Sequence, residues 1–589
     1  MFKSISTKVI SLLAISAVLL SACSKDDEPE VTTATLGAGS DLLQYVPADS
    51  PFVFATLETL PDDIMDELEP KLDRVLESYR TILKEVVAAK QAELSSEERS
   101  SEERSSEEIE KISAFIDELT TLLSVEGLRG AGIGRDSLAA FYGNGLLPVM
   151  RIELTDGALF DATIARLEEQ AGIEMSVGES QGQSYRYVDA DEMRIVIAVV
   201  DDQAVFALVP AQFDDAQTGR SLGLTLPETS LADTDIVQNL IQKYGFTNHA
   251  VAFIDIPAIA ERFVGQPTGL DADLIALMGD DTPELSDVCK AEIRGLAGVA
   301  PRMVMGYTGV AATRFDSTIV FELREDLASG LTALATAVPG LGGDRGGLMS
   351  FGLSLDIKAA REFMEARLDA MEADPYECEH LAELQAGVAS GRESLNQPVP
   401  PMVYDFKGFV AVIDELEGLD LVTQTPPTSV DGGFLLAMDN AQALVSMGAM
   451  FSPEMAALNL QSGGDPVELN LPQLQMMGVS AFAALQDSAI AVSMGEDAES
   501  QVQEMLGAEA SSPPPFMSFS VDAARYYSFM GEAIATGDTG ADDAPTPEMQ
   551  VALTEMMQSI AEMYDRMAID VLFTENGIEM HATETLKEQ

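Results

Sequence analysis

The chain has 589 residues, with 34 Lys+Arg against 98 Asp+Glu, a formal charge of −64 and 46% hydrophobic content. That much apolar material supports buried cores and excludes global disorder, while so acidic a surface repels nucleic-acid phosphates and anionic lipid alike. Three His, three Cys and no Trp leave little material for transition-metal or histidine-based catalytic sites, and at roughly 150 residues per domain the length allows about four units or two large ones.

Lys3 and Lys8 precede an apolar run over residues 9–22, too short to span a bilayer comfortably, and Ser24, Lys25, Asp26, Asp27 and Glu28 follow at once. This is the pattern of an export signal. The run ends Leu20-Ser21-Ala22-Cys23, which resembles the lipobox of bacterial lipoproteins, where the Cys is thioether-lipidated and becomes the new N-terminus. The resemblance implies a signal peptide over 1–22 and fatty chains on Cys23, each buried methylene adding about 0.8 kcal/mol to the anchor. In the same proteins, Ser rather than Asp after the Cys implies transport to the outer membrane, with the body facing the periplasm. An ordinary secretory signal or a short membrane anchor is the alternative. Residues 23–40 mix acid, Thr and Gly without periodicity, as a solvated tether does.

The folded body starts at Leu42. Tyr45-Val46-Pro47-Ala48-Asp49 leads into the apolar Pro51-Phe52-Val53-Phe54-Ala55. This stretch resembles the opening of a group of exported bacterial proteins of unknown function, whose mature regions begin Tyr-Val-Pro-Ala-Asp and then repeat strand, helix and hairpin. The resemblance implies an architecture and brings no activity or binding residue.

Residues 62–125 read as an extra helical stretch whose middle, 95–108, is SSEERSSEERSSEE. A five-residue period is not a heptad, so the stretch predicts the exposed crown of a helical hairpin, with a partner-docking arm as the other reading. Gly130, Gly132 and Gly134 resemble half of a phosphate loop but lack the remaining residues of a dinucleotide or Walker motif, so they read as a turn. Gly178-Glu179-Ser180-Gln181-Gly182 matches the G-x-S-x-G string of serine hydrolases. Residues 183–187 continue as an alternating strand, which predicts a hairpin where that motif needs a strand-to-helix elbow. The acidic loops at 189–192 and 538–543 lack the frame of a calcium loop.

Four segments share one pattern, an apolar strand that ends in an acid and hands over to an amphipathic helix: 252–264, 351–364, 434–447 and 519–530, with 51–64 a looser copy. The acids are Asp255, Asp356, Asp439 and Asp522, each placed to cap its helix for about 1 kcal/mol. Convergence of these acids on one ligand is the functional alternative. Two hairpins also recur: 193–209 aligns without a gap on 478–494, and the stretch from Arg302-Met303 matches that from Arg566-Met567, which carries the turn signal Asn576-Gly577. All recur in the same order. The prediction is an α+β fold of two duplicated halves, antiparallel sheet packed with amphipathic helices, the first over 41–340 with the helical-hairpin insertion and the second over 341–589. The Gly-rich join at 338–347 sits at that boundary.

In an oxidising compartment Cys289 and Cys378 predict a disulfide; a metal site on Cys378 and His380 is disfavoured, since an i, i+2 pair faces different sides of a helix. Of 28 methionines, 16 lie after residue 430, as fillers of a core or lining of an adaptable apolar groove. Without a recognisable catalytic set, metal site or cofactor motif, the expected function is that of a lipid-anchored, non-enzymatic binding or scaffold protein of the cell envelope, meeting an envelope protein and no nucleic acid. A carrier of lipid or another apolar ligand is the alternative.

Overall fold

A computed structural model describes residues 40–97, 118, 120–172, 175–190, 192–278, 285–417, 429–470, 479–535 and 547–587. The leader, Cys23, most of the tether, most of the Ser/Glu/Arg repeat and the acidic loop at 538–543 lie outside them. The apolar runs become strands. The first ten are β1 (Phe52–Thr56), β2 (Ala139–Asn144), β3 (Leu147–Glu153), β4 (Ser176–Ser180), β5 (Gln183–Ala190), β6 (Met193–Val200), β7 (Gln203–Pro210), β8 (Ala250–Asp255), β9 (Arg302–Ala311) and β10 (Arg314–Glu322). Nine more follow: β11 (Met349–Ser354), β12 (Phe406–Glu417), β13 (Ser429–Met438), β14 (Val467–Glu468), β15 (Ala481–Leu485), β16 (Ala489–Met494), β17 (Met517–Asp522), β18 (Tyr564–Thr574) and β19 (Gly577–Leu586).

Every pairing between these strands is antiparallel, and the result is one large antiparallel sheet in a mixed α+β fold. At its middle β10 pairs with β19 over the register Arg314↔Thr585 to Glu322↔Gly577. Outward from β10 the order is β9, β8, β1, β2, β3, β7, β6, β5, β4. Outward from β19 it is β18, β17, β11, β12, β13, β16, β15, β14. With β4 set aside, the two orders are the same in chain sequence.

Turn chemistry sets the hairpins. Asp201 and Asp202 both take left-handed backbone (φ 50° and 57°) between β6 and β7, the geometry of a two-residue turn that Asp tolerates and β-branched residues do not. The β18–β19 turn lies one residue earlier than expected: Glu575-Asn576 form it, and Gly577 opens β19 at φ 135°, where a Cβ would stand 2.2 Å from the Phe321 carbonyl.

Each flank of the sheet buries its first face against one longer helix and one short segment of chain. In the first half Val53, Val149, Val251 and Val304 pack with Leu42, Leu43 and Val46 and with Val237, Leu240 and Ile241 of the helix Ile236–Tyr244. In the second half Val410, Leu435 and Ala491 pack with Val338 and Leu341 and with Val502, Met505 and Leu506 of the helix Ala498–Gly507. On the second face, Phe160 and Ile164 of the helix Gly157–Ala171 cover Ile152, Ile197 and Phe206. Ala441 and Val445 of the helix Ala441–Phe451 cover Ala483, Leu485, Ile490 and Val492.

Of the helical-hairpin insertion expected over 62–125, the first arm is the helix Asp62–Glu97 and the crown lies outside the described residues; the contacts of that helix reach the other half. Lys71 Nζ donates to the Lys587 carbonyl (2.8 Å), Arg74 pairs with Glu562 (3.0 Å), and the Ser78 and Ser559 hydroxyls meet at 2.9 Å along the helix Pro547–Met563.

Candidate functional site

The Tyr-Val-Pro-Ala-Asp stretch is a structural clasp. Arg151 of β3 is fully buried, and no carboxylate among the described residues pairs with it: its guanidinium donates to the Tyr142 hydroxyl (3.2 Å), the Gln203 amide oxygen (2.8 Å) and the Leu222 carbonyl. The Tyr45 ring lies over it, 3.7 Å from the guanidinium carbon to the ring centroid, so the aromatic face supplies the negative charge density that no acid does. Tyr45 in turn donates to Asp201 (2.9 Å), and burial followed by that bond pushes its hydroxyl up to about 12. Asp49 pairs with Arg262 (2.6 Å). The motif thus pins the chain entry onto the first core.

Three of the four acids at strand ends cap their helices. Asp255 accepts from the Ala258 N–H (2.8 Å), Asp356 from Ala359 (2.9 Å) and Asp522 from Arg525 (2.9 Å). Asp439 does not; the cap there is Asn440, which accepts from Ala443 (2.9 Å), because the helix begins two residues after the acid there and one residue after it in the other copies. Asp439 turns instead to Lys407 (3.2 Å), which also holds Asp356 (2.8 Å). Burial works against the charge on Asp356, but the Lys407 ammonium and the helix N–H groups hold it below the usual carboxylate range. Asp255 binds Arg302 (3.1 Å) and Asp522 binds Arg525 (3.4 Å), so the four acids serve three separate cations. Lys407 as the junction of two acids gave no signal in sequence.

Cys289, in the helix Asp287–Ala297, and Cys378 are joined, Sγ to Sγ 2.10 Å and Cα to Cα 4.7 Å, and both are buried. Glu292 accepts the N–H groups of Glu377 (2.8 Å) and Cys378 (3.0 Å) beside the bond. His380 pairs with Glu379 and plays no part.

Ser180 ends β4, and Gln181-Gly182 form the two-residue turn into β5, so this serine stands on a hairpin with no elbow. Gly130 ends a short helix in open space, and Gly132 has φ 81° where a Cβ would meet the Asp156 carbonyl at 2.3 Å, so close approach of backbone explains Gly132. Asp189 pairs with Arg194 (2.6 Å). Among the described residues no three His, Cys, Asp or Glu are grouped to hold a metal, and no helix is long and apolar enough to cross a membrane. A cleft in the second half is shallow, open and charged, lined by Asp344, Arg345 and Glu504 with Gly507 and Ala508.

The feature that sequence reading missed is the second face of the sheet. One register row crosses it without a polar side chain. From β6 to β10 it runs Ile197, Phe206, Met150, Phe141, Phe54, Ala252, Met305, Ile319. It continues from β19 to β15 as Met580, Val571, Met517, Leu353, Phe409, Leu436, Ile490, Leu485. The corresponding middle of the first face is polar, with Thr318, His581, Asp570 and Ser518 in register. Helices cover the two ends of the apolar row. Between them Phe321, Phe351 and Phe434 stay 38%, 38% and 43% exposed, and Phe351, Phe409 and Phe434 form a ladder across β11, β12 and β13 with centroids 5.7 and 5.8 Å apart. Exposed aromatic ladders of this kind mark binding surfaces more than cores. A signal existed: strands such as FVFAT and FLLAM are apolar at consecutive positions, as strands with two dry faces are.

Compared with protein-family models, curated proteins and solved structures, the chain matches none of them.

Proposed function

We propose that this chain is an exported, lipid-anchored binding protein of the bacterial cell envelope, acting without catalysis, whose body arose by duplication of one α+β unit. The duplication reading draws on the matching strand order outward from β10 and β19 and on the repeated strand–cap–helix segments. Membership of the group that opens Tyr-Val-Pro-Ala-Asp is part of the same reading, with Tyr45 and Asp49 in structural roles. The anchor is Cys23, and the localisation is the outer membrane facing the periplasm.

The observation that carries the binding role is the half-open aromatic ladder Phe351–Phe409–Phe434 on the second face. Large aromatics at the centre of a dry surface are the residues that dominate protein interfaces. A photo-crosslinking side chain at Phe434, in cells exporting the chain, is expected to trap one envelope protein, and Phe351→Asp to abolish the adduct. Crosslinks to the chain alone end this reading. Intact mass of the mature chain should begin at an acylated Cys23; an uncleaved leader removes the anchor.

The second reading, a carrier of an apolar ligand, draws on the same ladder because it lies in the Met-rich half. Native mass spectrometry of the gently purified chain separates the two: a retained lipid adduct lost on Phe351→Asp favours carriage.

A further inference from the structure

On the second face the five central strands β10, β19, β18, β17 and β11 carry a single ionisable side chain, Glu584 of β19. Ile578, Met580, Ala582 and Leu586 share its side of the strand, and Phe315 of β10 and Met567 of β18 stand in register beside it. Helices reach the sheet on either side of it. Ile64 of the helix Asp62–Glu97 packs with Phe315 and Leu586, and the Tyr527 hydroxyl of the helix Ala523–Ala535 lies 3.9 Å from Met567 Sδ.

Glu584 is part-exposed, and among the described residues no hydrogen-bond donor or cation meets its carboxylate. Burial alone pushes that carboxyl up. By contrast, Asp271, 2% exposed, accepts the Leu146 N–H (2.7 Å) and faces Arg262 (3.2 Å). Glu322 takes Lys243 (2.7 Å) and the Tyr244 hydroxyl, and Asp316 takes Arg314 (2.8 Å) and the Thr583 hydroxyl (2.6 Å). The fold does not require an acid at the Glu584 place. Both hairpins at the joint turn over two residues, Ala312-Thr313 and Glu575-Asn576, and counting onward from Arg314 and Gly577 sets Phe321 opposite Glu584 as its counterpart. An apolar ring serves in the first half; the second half desolvates a charge there without return.

We propose that Glu584 holds a small alkylammonium ion on the second face, its N–H groups on the carboxylate and its alkyl part against Phe315, Met567 and Tyr527. The surround chooses the cation. One carboxylate among thioether and ring carbon does not supply the several oxygens that a hard metal ion takes, whereas an ammonium needs one acceptor and apolar walls, and aromatic faces add to its attraction. A net charge of −64 also gathers cations at the surface. Neither the lipid anchor nor the Phe351–Phe409–Phe434 ladder enters, so this site and the function proposed above fail separately.

The test is calorimetric titration of the full chain with n-butylammonium chloride, with n-butanol as the neutral probe and sodium chloride as the inorganic one. Saturable binding of n-butylammonium at one site is expected. Glu584→Gln and Glu584→Leu should each weaken it about tenfold or more, while Glu509→Gln, which removes an exposed acid, leaves it unchanged. Both Glu584 variants should unfold at or above the parent's temperature, since each removes a charge that folding desolvates. A variant that unfolds well below the parent gives the carboxylate a structural partner and overturns the proposal. Heat that persists in Glu584→Gln, or that sodium chloride reproduces at equal ionic strength, belongs to the acidic surface as a whole and overturns it. A parent that binds no n-butylammonium, or binds n-butanol as tightly, overturns it too.

Discussion

Arg151 shows how a single charge can be buried without an opposite one. Three neutral acceptors take its N–H groups and the Tyr45 ring faces the cation, so the charge is spread over dipoles and a quadrupole. Arg151→Ala leaves three buried acceptors without donors and opens a cavity beneath Tyr45, for a loss of about 3–5 kcal/mol by urea unfolding. Glu579 is the opposite case. It accepts from Thr574 (2.8 Å) and Asn576 (3.0 Å) and faces His581 (3.0 Å), and that imidazole, with the two donors, outweighs burial and pulls its carboxyl down to about 2. A depressed carboxylate contributes stability that is full above the ordinary glutamate value and is lost as pH falls towards 2. The expected contribution is on the order of 2 kcal/mol. Glu579→Gln should remove that part of the acid limb between pH 4.5 and 2; an unchanged unfolding midpoint across that window counts against the assignment.

Between elements, the decisive contacts cross from one half to the other. The helix Asp62–Glu97 of the first half lies on the helix Pro547–Met563 of the second, and the helix Asp287–Ala297 of the first half is bonded through Cys289 to Cys378 of the second. The two clasps differ in kind, one made of hydroxyls and an exposed ion pair, the other covalent. Cys289 and Cys378 are 89 residues apart in sequence, so the bond removes a large loop from the unfolded ensemble. Cys289→Ser with Cys378→Ser should cost about 2–4 kcal/mol, read by denaturation under oxidising conditions. Under reducing conditions the variant and the parent should coincide; a difference that survives reduction would mean that the serines perturb packing rather than the cross-link.

At the scale of the whole molecule, the halves share the β10–β19 pair, a full strand in register, which predicts that they unfold together. Disrupting either half exposes the backbone edge and the apolar row of the other, which couples them. Urea unfolding followed by far-ultraviolet circular dichroism and by the emission of an introduced indole in either half should give coincident transitions. Two separated midpoints would show that the central pair carries little of the stability. The same continuity gives the second face its reach: a row of apolar side chains that neither half could offer alone spans the joint.

Much of this was legible in the sequence because it is local. Apolar alternation over five to ten residues marks β6, β7, β15 and β16, and an acid at the end of a strand marks a cap at Asp255, Asp356 and Asp522. The order of the strand and helix segments was also visible. What the tertiary structure decided is whatever depends on register between distant strands. Asp439 yields its cap to Asn440 by a one-residue difference in where the helix after β13 begins, and Lys407 becomes a junction only when β11, β12 and β13 lie side by side. Arg151 reads as an exposed charge until Tyr45 closes over it. The period of a strand tells which residues share a face, but only the pairing of many strands tells what that face becomes: here, a polar middle on one side and an unbroken apolar row on the other.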